Sequence, residues 1–131
     1  MATIEGACHC GAARWSINGD PGSVTACNCT VCRRYGALWA YDYENERFST
    51  HGQTRAYVRG RTTEFHFCEN CGCIIWWRAR SPDEEGRVRL AVNMRMAEPA
   101  DVATLPIDHF DGLDTFEDLP VSGKLVLDLW A

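Results

Sequence analysis

Apolar and polar residues alternate over short stretches of this chain, and no segment sustains the three-to-four-residue spacing of an amphipathic helix. The pattern predicts strands. Thr3 to Ala7 and Ala12 to Ile17 are apolar-rich and lead into the turn Asn18-Gly19-Asp20-Pro21-Gly22. Val24 to Ala26 suits a short strand, and Ala37 to Tyr43 is an aromatic-rich one. Thr54 to Val58 and Thr62 to Cys68 flank Arg59-Gly60-Arg61, which reads as a hairpin connection. Ile74 to Arg80 is a further strand, stopped by Ser81-Pro82-Asp83. Over Val88 to Met96, Val88, Leu90, Val92 and Met94 alternate with Arg87, Arg89, Asn93 and Arg95, apart from Ala91, which predicts a strand with one buried face. Cys29 to Tyr35 suits a short helical turn that Thr30 could cap, and Ala97 to Asp101 suits a turn or one helical turn. Pro106 to Pro120 is acidic and reads as irregular, and Lys124 to Trp130 reads as a closing apolar strand.

These elements fit one mainly β domain over residues 1–131, sandwich-like or a folded-over sheet with short helical turns. A length of 131 residues, 46% of them hydrophobic and 24% charged, suffices for a single core and excludes a disordered chain. The formal net charge of −5 argues against nucleic acid as a partner, since phosphate binding calls for a basic face. No apolar run is long enough to span a bilayer. Met1-Ala2-Thr3-Ile4-Glu5 has neither a basic start nor an apolar stretch, so the expected location is the cytoplasm, with thiols kept reduced.

That expectation makes the eight cysteines informative, because in a reducing compartment they point to metal or catalysis rather than disulfides. Cys8 and Cys10 form C-x-C, Cys27, Cys29 and Cys32 form C-x-C-x2-C, and Cys68 and Cys71 form C-x2-C with Cys73 close behind. A C-x2-C turn brings two sulfurs to one metal, and C-x-C on a strand puts both on one face. Counting suggests a closed, structural zinc site from Cys8, Cys10, Cys68 and Cys71. Cys27, Cys29 and Cys32 remain as three ligands around an open, catalytic position. Cys73 is either a fourth ligand that closes the second site or an ordinary buried thiol, and the second is the simpler reading.

Three thiolates make zinc a weak Lewis acid toward water and a natural acceptor for another soft sulfur. Such a site favours reactions in which a substrate thiol attacks, or leaves from, an electrophilic carbon.

Three stretches resemble the glutathione-dependent formaldehyde-activating (CENP-V/GFA) family: Gly6-Ala7-Cys8-His9-Cys10-Gly11, Cys27-Asn28-Cys29-Thr30-Val31-Cys32-Arg33-Arg34 and Phe67-Cys68-Glu69-Asn70-Cys71-Gly72. The second half of the chain matches only in general character. The resemblance implies an Mss4-like fold and two zinc ions. It places Cys8, Cys10, Cys68 and Cys71 on the structural zinc and Cys27, Cys29 and Cys32 on the catalytic one. It also implies a carbon–sulfur lyase-type activity, in which glutathione, or another small thiol, combines reversibly with formaldehyde to S-(hydroxymethyl)glutathione.

Arg33 and Arg34 directly follow the open cluster and are candidates for holding the carboxylates of such a thiol, or else are solvated surface charges. Tyr35 and Trp39 could wall a pocket or belong to the core, and one of Trp76 and Trp77 should be core. His9 should turn away from the metal of its neighbours, His66 is expected to be partly buried, and His51 and His109 show no partner. No general acid or base is assignable. Two other readings stand beside the enzyme: a zinc-stabilised Mss4-like binding module, and a thiol-redox protein using Cys68-Glu69-Asn70-Cys71.

Overall fold

The computed structural model describes residues 3–130; Met1 and Ala2, read above for a leader, and the terminal Ala131 lie outside them. The protein is mainly β. Ten strands form two sheets: β1 (Thr3–Ala7), β2 (Arg14–Asn18), β3 (Val24–Cys27), β4 (Trp39–Tyr43), β5 (Phe48–His51), β6 (Thr54–Arg59), β7 (Thr63–Cys68), β8 (Ile74–Ala79), β9 (Arg89–Asn93) and β10 (Ile107–Phe110). One sheet has the order β1-β2-β5 and the other β10-β3-β4-β9-β8-β7-β6. Only one-turn helices interrupt them, α1 (Cys32–Tyr35) and α2 (Pro99–Val102), with 3₁₀ turns at Met94–Met96 and Val126–Leu129.

Side-chain alternation divides the core into two layers. Ala40, Ile75, Leu90 and Val92 of the large sheet pack with Ala13, Trp15, Ile17 and Phe48 of the small one. The opposite face carries Trp39, Phe65 and Ala91 against Cys29 and Cys32. Each fully buried large apolar side chain contributes about 1.5–3 kcal/mol, and Trp15, Trp39, Phe48 and Ile17 are among the largest here. Gly6 is required beneath Trp15, because a Cβ there would overlap the indole. The Trp15 Nε1–H donates to the carbonyl of Asn93 at 3.2 Å. Asn93 is the polar pin of the core: its Oδ1 accepts from the Leu38 amide at 3.2 Å and its Nδ2 donates to the Ile74 carbonyl at 3.0 Å.

Four expectations change. The strand read through Val88 to Met96 ends at Asn93 and is buried on both faces, because β9 lies between β4 and β8 in a sheet covered on both sides. Within Pro106 to Pro120, Ile107–Phe110 is a strand that pairs in parallel with β3. Lys124 to Trp130 is not a strand: the Asp128 carboxylate accepts the Leu125 amide N–H at 2.8 Å and closes a 3₁₀ turn. Only one of its apolar residues is fully buried, Val126, while Leu127 and Leu129 face solvent. Thr30 does not cap α1, whose N-cap position is Val31. Phe48–His51, unmarked by the apolar pattern, pairs with β2.

Candidate metal centres and the pocket beside one of them

Two hairpin tips of similar design meet at the first cysteine group. In the β1–β2 tip the Cys8 amide donates to the Ala13 carbonyl at 3.0 Å; in the β7–β8 tip the Cys68 amide donates to the Cys73 carbonyl at 3.0 Å. Each turn passes through a left-handed glycine, Gly11 (φ 84°) and Gly72 (φ 81°), a conformation other residues adopt at a cost. The tips place the sulfurs of Cys8, Cys10, Cys68 and Cys71 within 4.8 Å of one another. Cys8 Sγ lies 3.7 Å from Cys10 Sγ, which lies 3.6 Å from Cys68 Sγ. Sulfurs at Zn–S distances of about 2.3 Å stand about 3.8 Å apart along the edge of a tetrahedron, so the spacing fits a metal.

The surroundings favour thiolates at Cys71 and Cys10. At Cys68 the Cys71 and Asn70 amides act downward, but burial and the Cys10 and Cys8 thiols outweigh them and push the thiol up to about 11, so a bound cation would supply the charge that ionises it. The Cys73 and Cys10 amides hold the Cys71 thiol down at about 5. The Asn70 side chain and the Ala12 amide lower that of Cys10. The Ala13 amide donates to Cys8 Sγ at 3.3 Å. Cys73 packs beside this group, against Cys71 and the His9 amide, and does not join the other cluster.

The second group lies on the opposite face of the large sheet. Cys27 ends β3, Cys29 sits in the following turn and Cys32 opens α1, and their sulfurs also lie within 4.8 Å of one another. The Cys32 amide donates to Cys29 Sγ at 3.3 Å. Burial pushes the Cys27 and Cys32 thiols up. On Cys29 burial also acts upward, but the Cys32 amide and thiol, the Val31 amide and the Cys27 thiol together bring it below the usual thiol range. A bound divalent cation would supply the charge that ionises the other two. The indole N–H of Trp39 is fully buried, has no hydrogen-bond partner among the described residues, and lies close enough to the Cys32 sulfur to favour its thiolate. A thiolate there gives that orphaned donor an acceptor, which again fits a metal-bound cysteine.

All three sulfurs line a pocket of about 170 Å³. Its floor follows one transverse row of the sheet. Phe65 pairs with Trp77, Trp77 with Ala91, and Ala91 with Tyr41. Ala91, the small member, lets the Trp77 and Tyr41 rings approach to 5.9 Å between centroids. Arg59 and Thr63, cross-strand partners at the end of β6 and the start of β7, stand at one edge. Phe110, Gly112 and Phe116 form the remaining wall. No histidine or carboxylate lines this pocket among the described residues. Tyr41 brings a hydroxyl that burial, and secondarily the nearby sulfurs, keep protonated well above the usual range. A larger depression of about 350 Å³ beside Glu5, Arg14 and His51 contains none of the cysteines.

Residues 3–104, more than three quarters of the chain, match the family described as glutathione-dependent formaldehyde-activating enzyme. The chain belongs to this formaldehyde-activating family. A candidate glutathione-dependent formaldehyde-activating enzyme from Halomonas elongata is 29% identical over 56% of this chain. The chain spans about half, 54%, of the length of that curated relative. A crystal structure of a Rhodobacter sphaeroides protein superimposes with a TM-score of 0.60 at 25% identity, covering 79% of this chain and 99% of the other.

In this formaldehyde-activating family member the seven cysteines expected as ligands converge in the two groups read from their spacing. Arg33 and Arg34, on α1, do not line the three-cysteine pocket; Arg34 donates to the Thr30 carbonyl at 2.7 Å and borders a neighbouring depression with Tyr35, Tyr57 and Arg59. Trp39 and Trp76 are core, and Trp77 faces the pocket. His66 is half-buried, its ring between Thr54 Oγ1 at 2.8 Å and Glu64 Oε1 at 3.1 Å, and His109 Nε2 lies 2.9 Å from Ser122 Oγ. Sequence reading missed Tyr41, Arg59, Thr63, Phe110, Gly112 and Phe116 as pocket residues, because only cross-strand register and the β3–β10 pairing bring them to the cysteines.

The wall from 110 to 116 is held as a strap across the ligand loop. Asn28, between two of the cysteines, donates from Nδ2 to Asp111 Oδ1 at 3.1 Å and accepts the Leu113 amide at 3.0 Å. Asp111 also accepts from the Thr115 amide and hydroxyl, and the Asn28 side chain, ahead of these, holds its carboxyl below the usual range. The stabilisation from that ionised carboxylate is complete above about pH 4 and is lost only as pH falls through the depressed value, so the strap stays tied at neutral pH. Gly112 passes so close that a Cβ would stand 2.6 Å from Cys27 Sγ and 3.0 Å from Cys29 Cβ. Gly112→Ala should therefore weaken metal retention by the three-cysteine group while sparing the other. Metal analysis after mild chelation checks this: retention equal to that of the parent protein would contradict it.

Proposed function

We propose that the protein is a zinc-dependent enzyme that makes or breaks a carbon–sulfur bond on a small thiol, of the kind that joins glutathione to formaldehyde. The observation that carries this reading is the convergence of Cys27, Cys29 and Cys32 on the wall of an aromatic pocket. In it, Cys27, Cys29 and Cys32 hold the catalytic zinc and leave a position open toward the pocket. Cys8, Cys10, Cys68 and Cys71 hold a structural zinc between the two sheets. When bound at three thiolates, zinc supplies a soft open position that takes a substrate thiol as thiolate.

The chain's own residues do the rest. Phe65, Trp77 and Phe110 line the pocket with apolar rings that would hold the reacting carbon of a hydroxymethyl adduct near the sulfur. In the forming direction the thiol loses its proton, a carbon–sulfur bond forms at the aldehyde carbon, and the carbonyl oxygen takes the proton. The electron count is closed without an oxidant. Tyr41, neutral and half-buried in the pocket lining, would hold that oxygen through its hydroxyl. The redox alternative gains no support, since Cys68 and Cys71 share their site with Cys8 and Cys10.

Two metal ions per chain, and catalysed consumption of formaldehyde only when a thiol is present, are the expected results. The direct assay follows formaldehyde and free thiol together with increasing enzyme. Rates no faster than the spontaneous reaction for every thiol tried would overturn the reading.

A further inference from the structure

Resting on that reading of the three-cysteine site, we infer that Arg59 is a specificity-determining residue that binds a carboxylate of the thiol, with Thr63 beside it. The substrate class is thus a carboxylate-bearing thiol, its sulfur toward Cys27, Cys29 and Cys32 and its anionic end toward the β6–β7 edge.

The pocket is electrically one-sided. Its lining combines three sulfurs, where ionisation builds negative charge, with aromatic rings. Arg59 is the only cationic side chain among the residues that line it. An anionic group on the substrate is repelled by the sulfurs, cannot be solvated by phenyl and indole rings, and has one favourable place to go. No carboxylate among the described residues forms an ion pair with Arg59, in a chain whose acids outnumber its lysines and arginines by 18 to 13. The guanidinium therefore keeps its charge for a ligand.

It is also held in place. Arg59 Nη2 donates to Thr30 Oγ1 at 3.3 Å, and Thr30 lies inside the Cys29–Cys32 turn that carries two of the sulfurs. That single bond leaves most of the five guanidinium donors free for a bidentate carboxylate. The tether therefore joins the guanidinium to the loop that carries Cys29 and Cys32. The register Arg59↔Thr63 brings a hydroxyl-bearing residue into the same stretch of the pocket lining.

Glutathione and a simple mercapto acid both carry this chemistry, and the test separates them. The full-length protein is loaded with cobalt(II), whose thiolate charge-transfer absorption reports a fourth sulfur without turnover. It is titrated with glutathione, 3-mercaptopropionate and uncharged 2-mercaptoethanol. The two carboxylate thiols should bind at least about tenfold more tightly than 2-mercaptoethanol. Arg59→Gln should remove that preference while changing 2-mercaptoethanol affinity less than about twofold, and Arg59→Lys should restore part of it. Whichever of the two carboxylate thiols loses more in Arg59→Gln is the source the site is built for. Equal losses for charged and uncharged thiols, or none, would overturn the role of Arg59 while leaving thiol binding at the metal intact. A cobalt spectrum unmoved by all three thiols would instead overturn the underlying reading of the site. Arg59 is exposed, and unchanged circular dichroism and metal content confirm that each variant is folded.

Discussion

Cys68→Ser should yield a chain with no cooperative thermal transition and less than its full complement of metal. Cys68 is 1% exposed and its sulfur stands 3.6 Å from that of Cys10, on the other sheet's hairpin tip. A serine hydroxyl is a hard, neutral donor that does not replace a thiolate on a soft cation. Structural zinc sites contribute about 10–16 kcal/mol of binding free energy in small domains, against a total stability of about 5–15 kcal/mol for a typical domain. The clamp also closes a loop of some sixty residues, and loss of that constraint alone is worth about 4 kcal/mol on a chain-entropy estimate. Circular dichroism melting with near-ultraviolet signals from buried Trp15 and Trp76 checks the outcome. A variant melting within a few degrees of the parent would show that the four sulfurs do not secure the fold.

Cys29→Ser should do the reverse: abolish activity and leave the domain standing. Cys27, Cys29 and Cys32 lie within six residues, so their metal closes no long loop and joins no second sheet. The core beneath them is fixed by Trp39, Phe65 and Ala91, which the substitution leaves untouched. The structural cost is confined to the buried sulfur and the 3.3 Å bond it accepts from the Cys32 amide, about 1–2 kcal/mol. A melting temperature lowered by about 4–7 °C corresponds to that cost. Loss of metal-assisted chemistry removes several kcal/mol of transition-state stabilisation, a fall in kcat/KM of about 10²–10⁴-fold. Steady-state kinetics beside metal analysis and a thermal melt test both halves. Activity within a factor of ten of the parent would exclude these cysteines from the chemistry, and an unfolded variant would show that this group, too, is structural.

The cysteine groups were legible because metal ligation writes itself locally: C-x-C and C-x2-C bring sulfurs together through turns that only a few residues define. Strands buried on one face, such as β1 and β2, were legible through alternation. Failures occurred where burial and pattern part company. β5 offers a single fully buried residue, Phe48, followed by Ser49 and Thr50, and is a strand because β2 lies beside it. At the other end of the chain Leu127, Leu129 and Trp130 are apolar yet exposed, so a strand-like run became a turn. Thr30 is a good capping residue by type, but its hydroxyl is taken by Arg59 and its carbonyl by Arg34. The pocket was illegible for a stronger reason. Tyr41, Arg59, Phe65, Trp77 and Phe110 lie on five strands, and the registers that align them are set by hydrogen bonds between distant segments. Arg33 and Arg34 drew notice by adjacency to Cys32, while the arginine at the pocket edge follows it by 27 positions.

The strap across Asn28 has an evolutionary consequence. The family match ends at residue 104, whereas Phe110, Gly112 and Phe116 come after it. The cysteines and this wall of the pocket thus sit on separate stretches of polypeptide, which the hydrogen bond between Asn28 and Asp111 joins. Exchanging Phe110 and Phe116 while Asp111 and Gly112 stay would re-cut one wall of the pocket without putting a Cβ against Cys27 Sγ, a route by which one scaffold can be retuned from one thiol to the next.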